Sequence, residues 1–168
     1  MPIPMQPLLE GASYLEPASG TYTETELRQG LRDATALISL LSQPVDGAMM
    51  DAAPELKVIA NYAVGYDNVD IAAASARGIA VTNTPDVLTD ASADLAFALI
   101  LAAARRLREG ELLARSGEWT GWHPTLLRGY ELKGRRLGII GAGRIGRAVI
   151  RRARGFEMEC VYLGRSAN

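Results

Sequence analysis

The sequence predicts an α/β protein in which one parallel α/β unit is followed by the start of a second. Short apolar runs typical of strands alternate with segments whose apolar residues have helical spacing. Strands that alternate with helices indicate parallel sheets. The 168 residues leave room for one domain or two small ones, and a hydrophobic content of 48% is ample for a core.

Three strands separated by short helices are predicted in residues 1–88. The pattern Thr23-x-x-Glu26 is a candidate capping box for a first helix. Asp46 and Asp70 are placed to begin further helices, and Gly78 to end the last one. The predicted strands, in chain order, lie at 35–41, 58–60 and 79–81.

A second unit is predicted over residues 89–168, after the break at Thr84-Pro85. Thr89 or Asp90 can cap a long helix that reaches about Ser116. Its first half is apolar nearly all round, so we expect it to be buried. Residues 117–134 have the composition of a loop, and a strand, a helix and another strand follow.

The stretch Leu137-Gly-Ile-Ile-Gly141-Ala-Gly143-Arg-Ile-Gly146 predicts a strand, a G-x-G-x-x-G turn and the start of a helix. Gly141 permits the tight turn, Gly143 a close approach of a pyrophosphate, and Gly146 close packing of the helix. The helix N-terminus offers unpaired N–H groups to the anion. This pattern indicates a dinucleotide site, and the alternative is a purely structural glycine turn.

The choice between the two nicotinamide cofactors depends on the end of the next strand, Tyr162-Leu163-Gly164-Arg165-Ser166. An acidic residue there would bind the ribose 2′-OH of NAD, and no Asp or Glu follows Glu159. Arg165 can donate to a 2′-phosphate and Ser166 can add one more hydrogen bond. NADP(H) is therefore favoured over NAD(H); the alternative is that Arg165 is a solvated loop residue.

The loop at Val64-Gly65 is a second candidate site. It follows the strand at 58–60, and ligands of open α/β sheets bind beyond the carboxyl ends of strands. Backbone N–H groups in this loop could bind a small carboxylate. The ordinary alternative is a turn glycine with positive φ.

Composition excludes several other kinds of function. The net charge of −1 argues against nucleic acid or an anionic membrane as a main partner. The longest apolar run, Leu95 to Ala104, is too short to span a bilayer. Cys160 is the one cysteine, which excludes an internal disulfide framework, and no signal peptide is visible. We expect a cytoplasmic protein, with Arg147, Arg151, Arg152 and Arg154 on a solvated helix face.

Taken together, several motifs resemble the D-isomer-specific 2-hydroxyacid dehydrogenase family, most closely its glyoxylate and hydroxypyruvate reductases. The motifs occur in the family's order from about residue 35 onward. They are Asn61-Tyr-Ala-Val-Gly-Tyr-Asp-Asn-Val-Asp70, Gly78-Ile-Ala-Val-Thr-Asn-Thr-Pro-Asp-Val-Leu-Thr-Asp90, Ala93-Asp-Leu-Ala-Phe-Ala-Leu, the stretch from Trp119 to Pro124, and Leu132-x-Gly134 before the fingerprint.

The resemblance implies a flavodoxin-like substrate domain, here only its N-terminal segment, followed by the start of a Rossmann dinucleotide-binding domain. It implies that Val64 and Gly65 meet the substrate carboxylate. It places Gly143, Arg144, Ile145 and Gly146 around the pyrophosphate, and it matches Gly164, Arg165 and Ser166 to the NADP pattern. A small 2-oxoacid substrate, no metal and a homodimer of the full-length enzyme are also implied.

The family's catalytic arginine, glutamate and histidine lie in its later half, and none of them can be placed in this chain. The only histidine, His123, does not match the catalytic position, and only 22 residues follow Gly146. We therefore expect the N-terminal half of an oxidoreductase, inactive by itself. The alternative is a truncated, catalytically inactive nucleotide-binding polypeptide; a different dinucleotide module is disfavoured by the motifs before the fingerprint.

Overall fold

The structure is a computed structural model of the 168-residue chain, and it describes residues 10–15 and 22–164. The chain divides into two compact units between Pro85 and Asp86.

In its described residues, the first unit contains a three-stranded parallel sheet and three helices. The strands are β1 (Ala36–Ser39), β2 (Val58–Asn61) and β3 (Ala80–Thr82), in the order β1-β2-β3. The helices are α1 (Glu24–Leu31), α2 (Gly47–Asp51) and α3 (Ile71–Ala76). The register places Ser39 opposite Asn61, so the carboxyl ends of β1 and β2 lie side by side.

Local capping explains where these helices begin. The Thr23 N–H donates to Oε2 of Glu26 at 2.8 Å, and the Glu26 N–H donates to Oγ1 of Thr23 at 3.3 Å. This is the predicted capping box. Asp46 and Asp70 cap α2 and α3 as predicted, each accepting a backbone N–H at 2.8 Å. The core of this unit centres on the fully buried side chains of Val45, Met50 and Ile59.

The second unit contains a two-stranded parallel sheet and three helices. The strands β4 (Arg136–Ile140) and β5 (Glu159–Leu163) are joined by the helix α6 (Arg144–Gly155). Two further helices precede them, α4 (Thr89–Ala104) and α5 (Leu107–Ser116). Parallel sheets with intervening helices confirm the predicted α/β class.

The prediction of one continuous helix from residue 89 to about 116 is wrong, because the helix is interrupted at Arg105 and Arg106. Arg106 adopts a left-handed conformation, with φ +53°. The Ala104 carbonyl accepts a hydrogen bond from the N–H of Tyr130 at 2.7 Å, and not from an N–H of the next helical turn. The predicted cap is also wrong, because Leu88 occupies the N-cap and no side chain caps α4.

The expected burial of α4 on all sides is also wrong. Ala93 and Phe97 are buried against α6, and the Phe97 and Phe156 rings stack at 4.8 Å between centroids. Leu95 and Leu99 lie on other faces and are 63% and 61% exposed. Within the described ranges α4 contacts mainly α6 and, to a smaller extent, α5, and these contacts leave Leu95 and Leu99 largely exposed.

Candidate functional site

The loop at Val64 and Gly65 leaves the first sheet at its carboxyl edge, three residues after β2 ends at Asn61. Both residues are half-buried. This edge also carries the ends of β1 and β3, because the three strands run parallel. The loop therefore lies where ligands of open α/β sheets bind.

Three successive carbonyls of this loop are held by hydrogen bonds from inside the unit. The Ala63 carbonyl accepts the backbone N–H of Thr84 at 2.9 Å. The Val64 carbonyl accepts Nδ2 of Asn83 at 2.9 Å, and the Gly65 carbonyl accepts Nδ2 of Asn61 at 2.8 Å. The peptide planes on both sides of Gly65 are thereby fixed.

The N–H groups of the same peptides face the other way. In a planar trans peptide the N–H points opposite to the carbonyl, and the described residues contain no cis bond. The N–H groups of Val64 and Gly65 thus point away from Asn83 and Thr84. Over residues 10–15 and 22–164 neither of them donates to a protein acceptor. Two adjacent donors are left for a ligand.

The ordinary explanation for Gly65, a turn glycine with positive φ, does not hold. Gly65 is absent from the residues in the left-handed region. A Cβ built on it would meet Cδ2 of Leu41 at 3.7 Å and Oδ2 of Asp67 at 3.8 Å, both ordinary contacts. Neither backbone conformation nor internal packing requires a glycine here. A close approach from outside the chain remains the physical reason for it.

A buried polar network supports the loop from below, and sequence reasoning assigned it no role. Asn61 is 1% exposed, and its Oδ1 accepts the Ser39 hydroxyl at 2.8 Å. Its Nδ2 donates to Oδ1 of Asn68 at 3.2 Å in addition to the Gly65 carbonyl. Asn68 in turn donates to the carbonyls of Leu40 and Gln43 at 3.1 and 3.0 Å. The sequence feature that could have revealed this network is an asparagine, Asn61, at the end of a buried strand and just before a loop that contains glycine.

The fingerprint in the second unit forms the strand, turn and helix that the sequence predicts. Gly141 has φ +91°, which favours glycine, and it lies directly after β4. A Cβ on Gly146 would collide with the Gly141 carbonyl, so this glycine lets α6 pack against the turn. Gly143 is the N-cap of α6, with φ −73° and open space around its absent Cβ. No contact within the described residues requires a glycine at this position, and the open space fits a close approach of a pyrophosphate.

Arg144 and Ile145 begin α6 at this turn, and both are exposed. Nε of Arg144 lies 2.8 Å from Oδ1 of Asp86, with both side chains 66% exposed. Asp86 itself has φ +70°, an uncommon conformation for a residue with a side chain. The guanidinium predicted to face the pyrophosphate is thus paired with a carboxylate of the same unit.

Arg152 does not belong to a solvated helix face, contrary to the sequence interpretation. Its side chain is 22% exposed, and its Nε donates to Oδ1 of Asp94 at 2.6 Å. It also donates to Oδ1 of Asp90 at 3.2 Å. The hydrogen bond that Arg152 donates to the Asp94 carboxylate raises the pKa of Arg152 above its ordinary value. Arg152 therefore joins α6 to α4, while Arg154 is exposed as expected.

The remaining candidate residues lie at or beyond the end of the described chain. Gly164 is exposed and directly follows β5. Arg165 and Ser166 lie outside the described residues. His123 is exposed, and its Nδ1 lies 2.9 Å from Oγ1 of Thr125 in its own loop.

The described ranges contain neither a candidate metal site nor a helix that could span a membrane. Residues 10–15 and 22–164 contain no group of three or more His, Cys, Asp or Glu side chains that could hold a metal ion. In the same part of the chain, no helix combines the length and the apolar character needed to cross a bilayer.

Known proteins match this chain over most of its length. The family model of the D-isomer specific 2-hydroxyacid dehydrogenase catalytic domain matches residues 5–161. Glyoxylate reductase from Thermococcus litoralis is 55% identical over 144 residues, which are 83% of this chain and 44% of that enzyme. The chain therefore spans less than half the length of the curated relatives it matches.

Two solved structures show the same architecture. A 2-hydroxyacid dehydrogenase from Ketogulonicigenium vulgare Y25 superposes with a TM-score of 0.85 at 37% identity, covering 100% of this chain and 54% of that one. D-Lactate dehydrogenase from Aquifex aeolicus, complexed with NAD and lactic acid, gives a TM-score of 0.75 at 26% identity and covers 84% and 42%. The motif resemblance is thereby confirmed, and the chain belongs to the D-isomer specific 2-hydroxyacid dehydrogenase family.

Proposed function

We propose that this chain is part of an oxidoreductase that transfers a hydride between NADP(H) and a small 2-oxo or 2-hydroxy acid. The glyoxylate or hydroxypyruvate type of substrate is favoured, because the motifs and the Thermococcus relative point to it. The observation that carries the proposal is the pair of adjacent N–H groups at Val64 and Gly65, fixed in direction and without a protein acceptor in the described part of the chain.

These two donors fit a carboxylate better than a neutral group. A hydrogen bond to an ionised oxygen is about twice as strong as one between neutral groups. Two adjacent backbone N–H groups can share the two oxygens of one carboxylate, as in other backbone anion sites. Gly65 adds no side chain in front of them, so a small acid can come close. A 2-oxo acid held in this way keeps its reacting carbonyl next to the fixed carboxylate.

The cofactor side of the proposal depends on the turn from Gly141 to Gly146. The open space at the absent Cβ of Gly143 and the N-terminus of α6 fit a pyrophosphate, with Arg144 beside them. NADP(H), when bound, supplies the hydride. The preference for NADP(H) over NAD(H) rests on Arg165 and Ser166 after β5, and Gly164 leaves room for the phosphate.

Further parts of the proposal follow from the family. We place the protein in the cytoplasm, with the full-length enzyme a homodimer. We also propose that the 168-residue chain alone is inactive, because the family's catalytic arginine, glutamate and histidine have no counterpart in it. An assay of NADPH oxidation with glyoxylate should stay at the no-enzyme rate; turnover above that rate would overturn this part.

The substrate site is tested by titrating the ¹⁵N-labelled chain with sodium glyoxylate and following its amide resonances. We expect the largest concentration-dependent shifts at Val64 and Gly65. Glycolaldehyde, which has no carboxylate, serves as the control and should leave these two amides in place. Equal shifts with both compounds, or none with glyoxylate, would contradict the proposed site.

A further inference from the structure

We propose that Asn83 is a positioning residue that aims the Gly65 amide at the substrate carboxylate, and that Asn61 is a positioning residue that fixes the next peptide of the same loop. The inference rests on the proposed function, because it names the residues that orient the backbone of the same carboxylate site. Neither asparagine touches the substrate in this account. Each acts by holding a carbonyl of the loop, so that the opposite side of the peptide faces outward.

Asn83 controls the Gly65 amide directly. Its Nδ2 donates to the Val64 carbonyl, which belongs to the same peptide plane as the Gly65 N–H. The neighbouring backbone N–H of Thr84 does the same for the Ala63 carbonyl, and so for the Val64 N–H. Because Asn83 and Thr84 are adjacent, both amides point away from one short segment and toward a common side.

Asn61 fixes the peptide that follows Gly65. Its Nδ2 donates to the Gly65 carbonyl, and this bond is directed because the carboxamide cannot rotate freely. The Ser39 hydroxyl occupies its Oδ1, and Asn68 accepts from the second hydrogen of its Nδ2. A rotation of Asn61 would break all of these bonds inside a site where it is 1% exposed. The Gly65 carbonyl is therefore held by the side-chain carboxamide of Asn61, which these hydrogen bonds restrict to one orientation.

Side-chain donors are needed here because the loop has left the sheet. Within β2 the ladder with β1 and β3 satisfies the backbone, but β3 ends at Thr82, one residue before Asn83. Asn83 is half-buried, and its side chain makes one hydrogen bond in the described chain, the bond to Val64. Asn83 therefore donates its side-chain hydrogen bond to one loop carbonyl, at the sheet edge where the ligand is proposed to bind. This position suits a residue that orients the Gly65 N–H before the ligand arrives.

Asn83→Leu tests this positioning, because leucine keeps a similar size and neutral charge but cannot donate. Gln29→Leu on the exposed face of α1 is the matched control, with the same loss of a carboxamide. The dissociation constant for glyoxylate is measured from the Val64 and Gly65 shifts of each ¹⁵N-labelled chain. Loss of one hydrogen bond predicts an affinity about three- to tenfold weaker in Asn83→Leu and unchanged in the control.

The amide resonances of the first unit separate positioning from a loss of structure, because Asn83 and the proposed glyoxylate site both lie in that unit. A variant that merely unfolds would lose the native resonances of the core residues Val45, Met50 and Ile59, whereas a positioning role leaves them in place. If Asn83→Leu fails to fold, Asn83→Ser replaces it, since the shorter side chain cannot reach the Val64 carbonyl.

The outcomes distinguish the inference from the proposed function. Glyoxylate binding within twofold of wild type in both Asn83 variants would overturn the positioning role and leave the proposed site intact. Failure of glyoxylate to shift Val64 and Gly65 in the wild-type chain would overturn the proposed site, and the positioning role with it. Weaker glyoxylate binding with unchanged resonances of Val45, Met50 and Ile59 in the core of the first unit is the result that supports both.

Discussion

Gly65 is a residue whose identity the chain itself does not require. Its backbone conformation is open to any residue, and an added methyl group would make only ordinary contacts inside the unit. The neighbouring carbonyls are nevertheless held by three hydrogen bonds. The candidate site consists of the two backbone amides of Val64 and Gly65. Hydrogen bonds to the neighbouring carbonyls fix their direction, and Gly65 puts no side chain in front of them.

Gly65→Ala should separate binding from stability. We expect the free energy of unfolding to change by less than about 1 kcal/mol, because no clash and no strained φ are created. Glyoxylate affinity should fall about 10- to 100-fold, the loss expected when a hydrogen bond to a charged group is blocked. Gly138→Ala, in a strand with open space at its Cβ, is the control. Unchanged glyoxylate affinity in Gly65→Ala would argue against the close approach.

Asp86 competes with the cofactor for Arg144 if the guanidinium faces the pyrophosphate. Asp86→Asn should therefore strengthen NADP⁺ binding, by no more than about fivefold, since exposed ion pairs contribute about 0–1 kcal/mol. The gain should shrink as salt is added. Calorimetric titration measures both effects. In an Arg144→Gln background the same substitution should do nothing, and a gain that persists there would refute the competition.

Among the elements of the second unit, α4 and α6 make the most extensive contact after the pairing of β4 with β5. Phe97 is buried between them against Phe156, and Arg152 reaches from α6 to Asp90 and Asp94 on α4. The apolar contact and the ion pairs lie along one line of the helix pair. The opposite side of α4 is exposed in the described chain.

Phe97→Ala should lower the free energy of unfolding by about 3–5 kcal/mol, the usual cost of removing a buried phenylalanine. Leu99→Ala, on the exposed side of the same helix, should cost less than about 1 kcal/mol. Urea unfolding followed by circular dichroism measures both. Similar losses for the two variants would mean that α4 is covered on both sides.

The ion pair of Asp51 with Arg77 should make the first unit sensitive to acid. Hydrogen bonds from Arg77 lower the pKa of Asp51 below its ordinary 3.8, so the pair stabilises the fold above pH 3.8. This stability is lost as the pH falls through the lowered pKa. Asp51→Asn should therefore be less stable than wild type at neutral pH, and the difference should shrink in acid. Urea midpoints from about pH 7 to pH 3 test this, with exposed Asp33→Asn as control; a constant difference would contradict it.

Elements that depend on neighbouring residues could be predicted from the sequence, and those that depend on distant ones could not. The capping box at Thr23 and the caps at Asp46 and Asp70 are local, so their sequence signals were sufficient. The break of the long helix depends on Tyr130, whose N–H takes the Ala104 carbonyl from 26 residues away. The spacing of apolar residues near Arg105 contains no sign of the hydrogen bond between Tyr130 and Ala104.

The candidate site shows the same division. Val64 and Gly65 could be named from a strand followed by a glycine, because that pattern is local. The donors that fix them come from Asn61 and from Asn83, which lies 19 residues beyond Val64. Their role becomes visible only when parallel strands bring both ends to one sheet edge. Likewise, the bridge from Arg152 to Asp94 spans 58 residues and has no signal in the helix pattern of α6.

In the whole molecule, the first unit carries the proposed substrate loop and the second unit carries the proposed cofactor turn. The chain belongs to the 2-hydroxyacid dehydrogenase family and matches less than half the length of its curated relatives. We therefore propose that this chain binds substrate and cofactor, and that the full-length enzyme carries out the reaction. Ligand binding is the property that can be measured on the 168-residue chain.

Titration of the ¹⁵N-labelled chain with NADP⁺ and with NAD⁺ tests whether the turn from Gly141 to Gly146 binds the cofactor and which of the two cofactors it prefers. We expect saturable shifts centred on Gly143, Arg144, Ile145 and Gly146, with NADP⁺ bound more tightly than NAD⁺. Gly164→Asp combined with Arg165→Ala should reverse that order, because the change removes the proposed phosphate-binding cation and adds an acceptor for the ribose hydroxyls where NAD-preferring members place their aspartate. Shifts that avoid the turn, or tighter binding of NAD⁺ by the wild-type chain, would contradict the account.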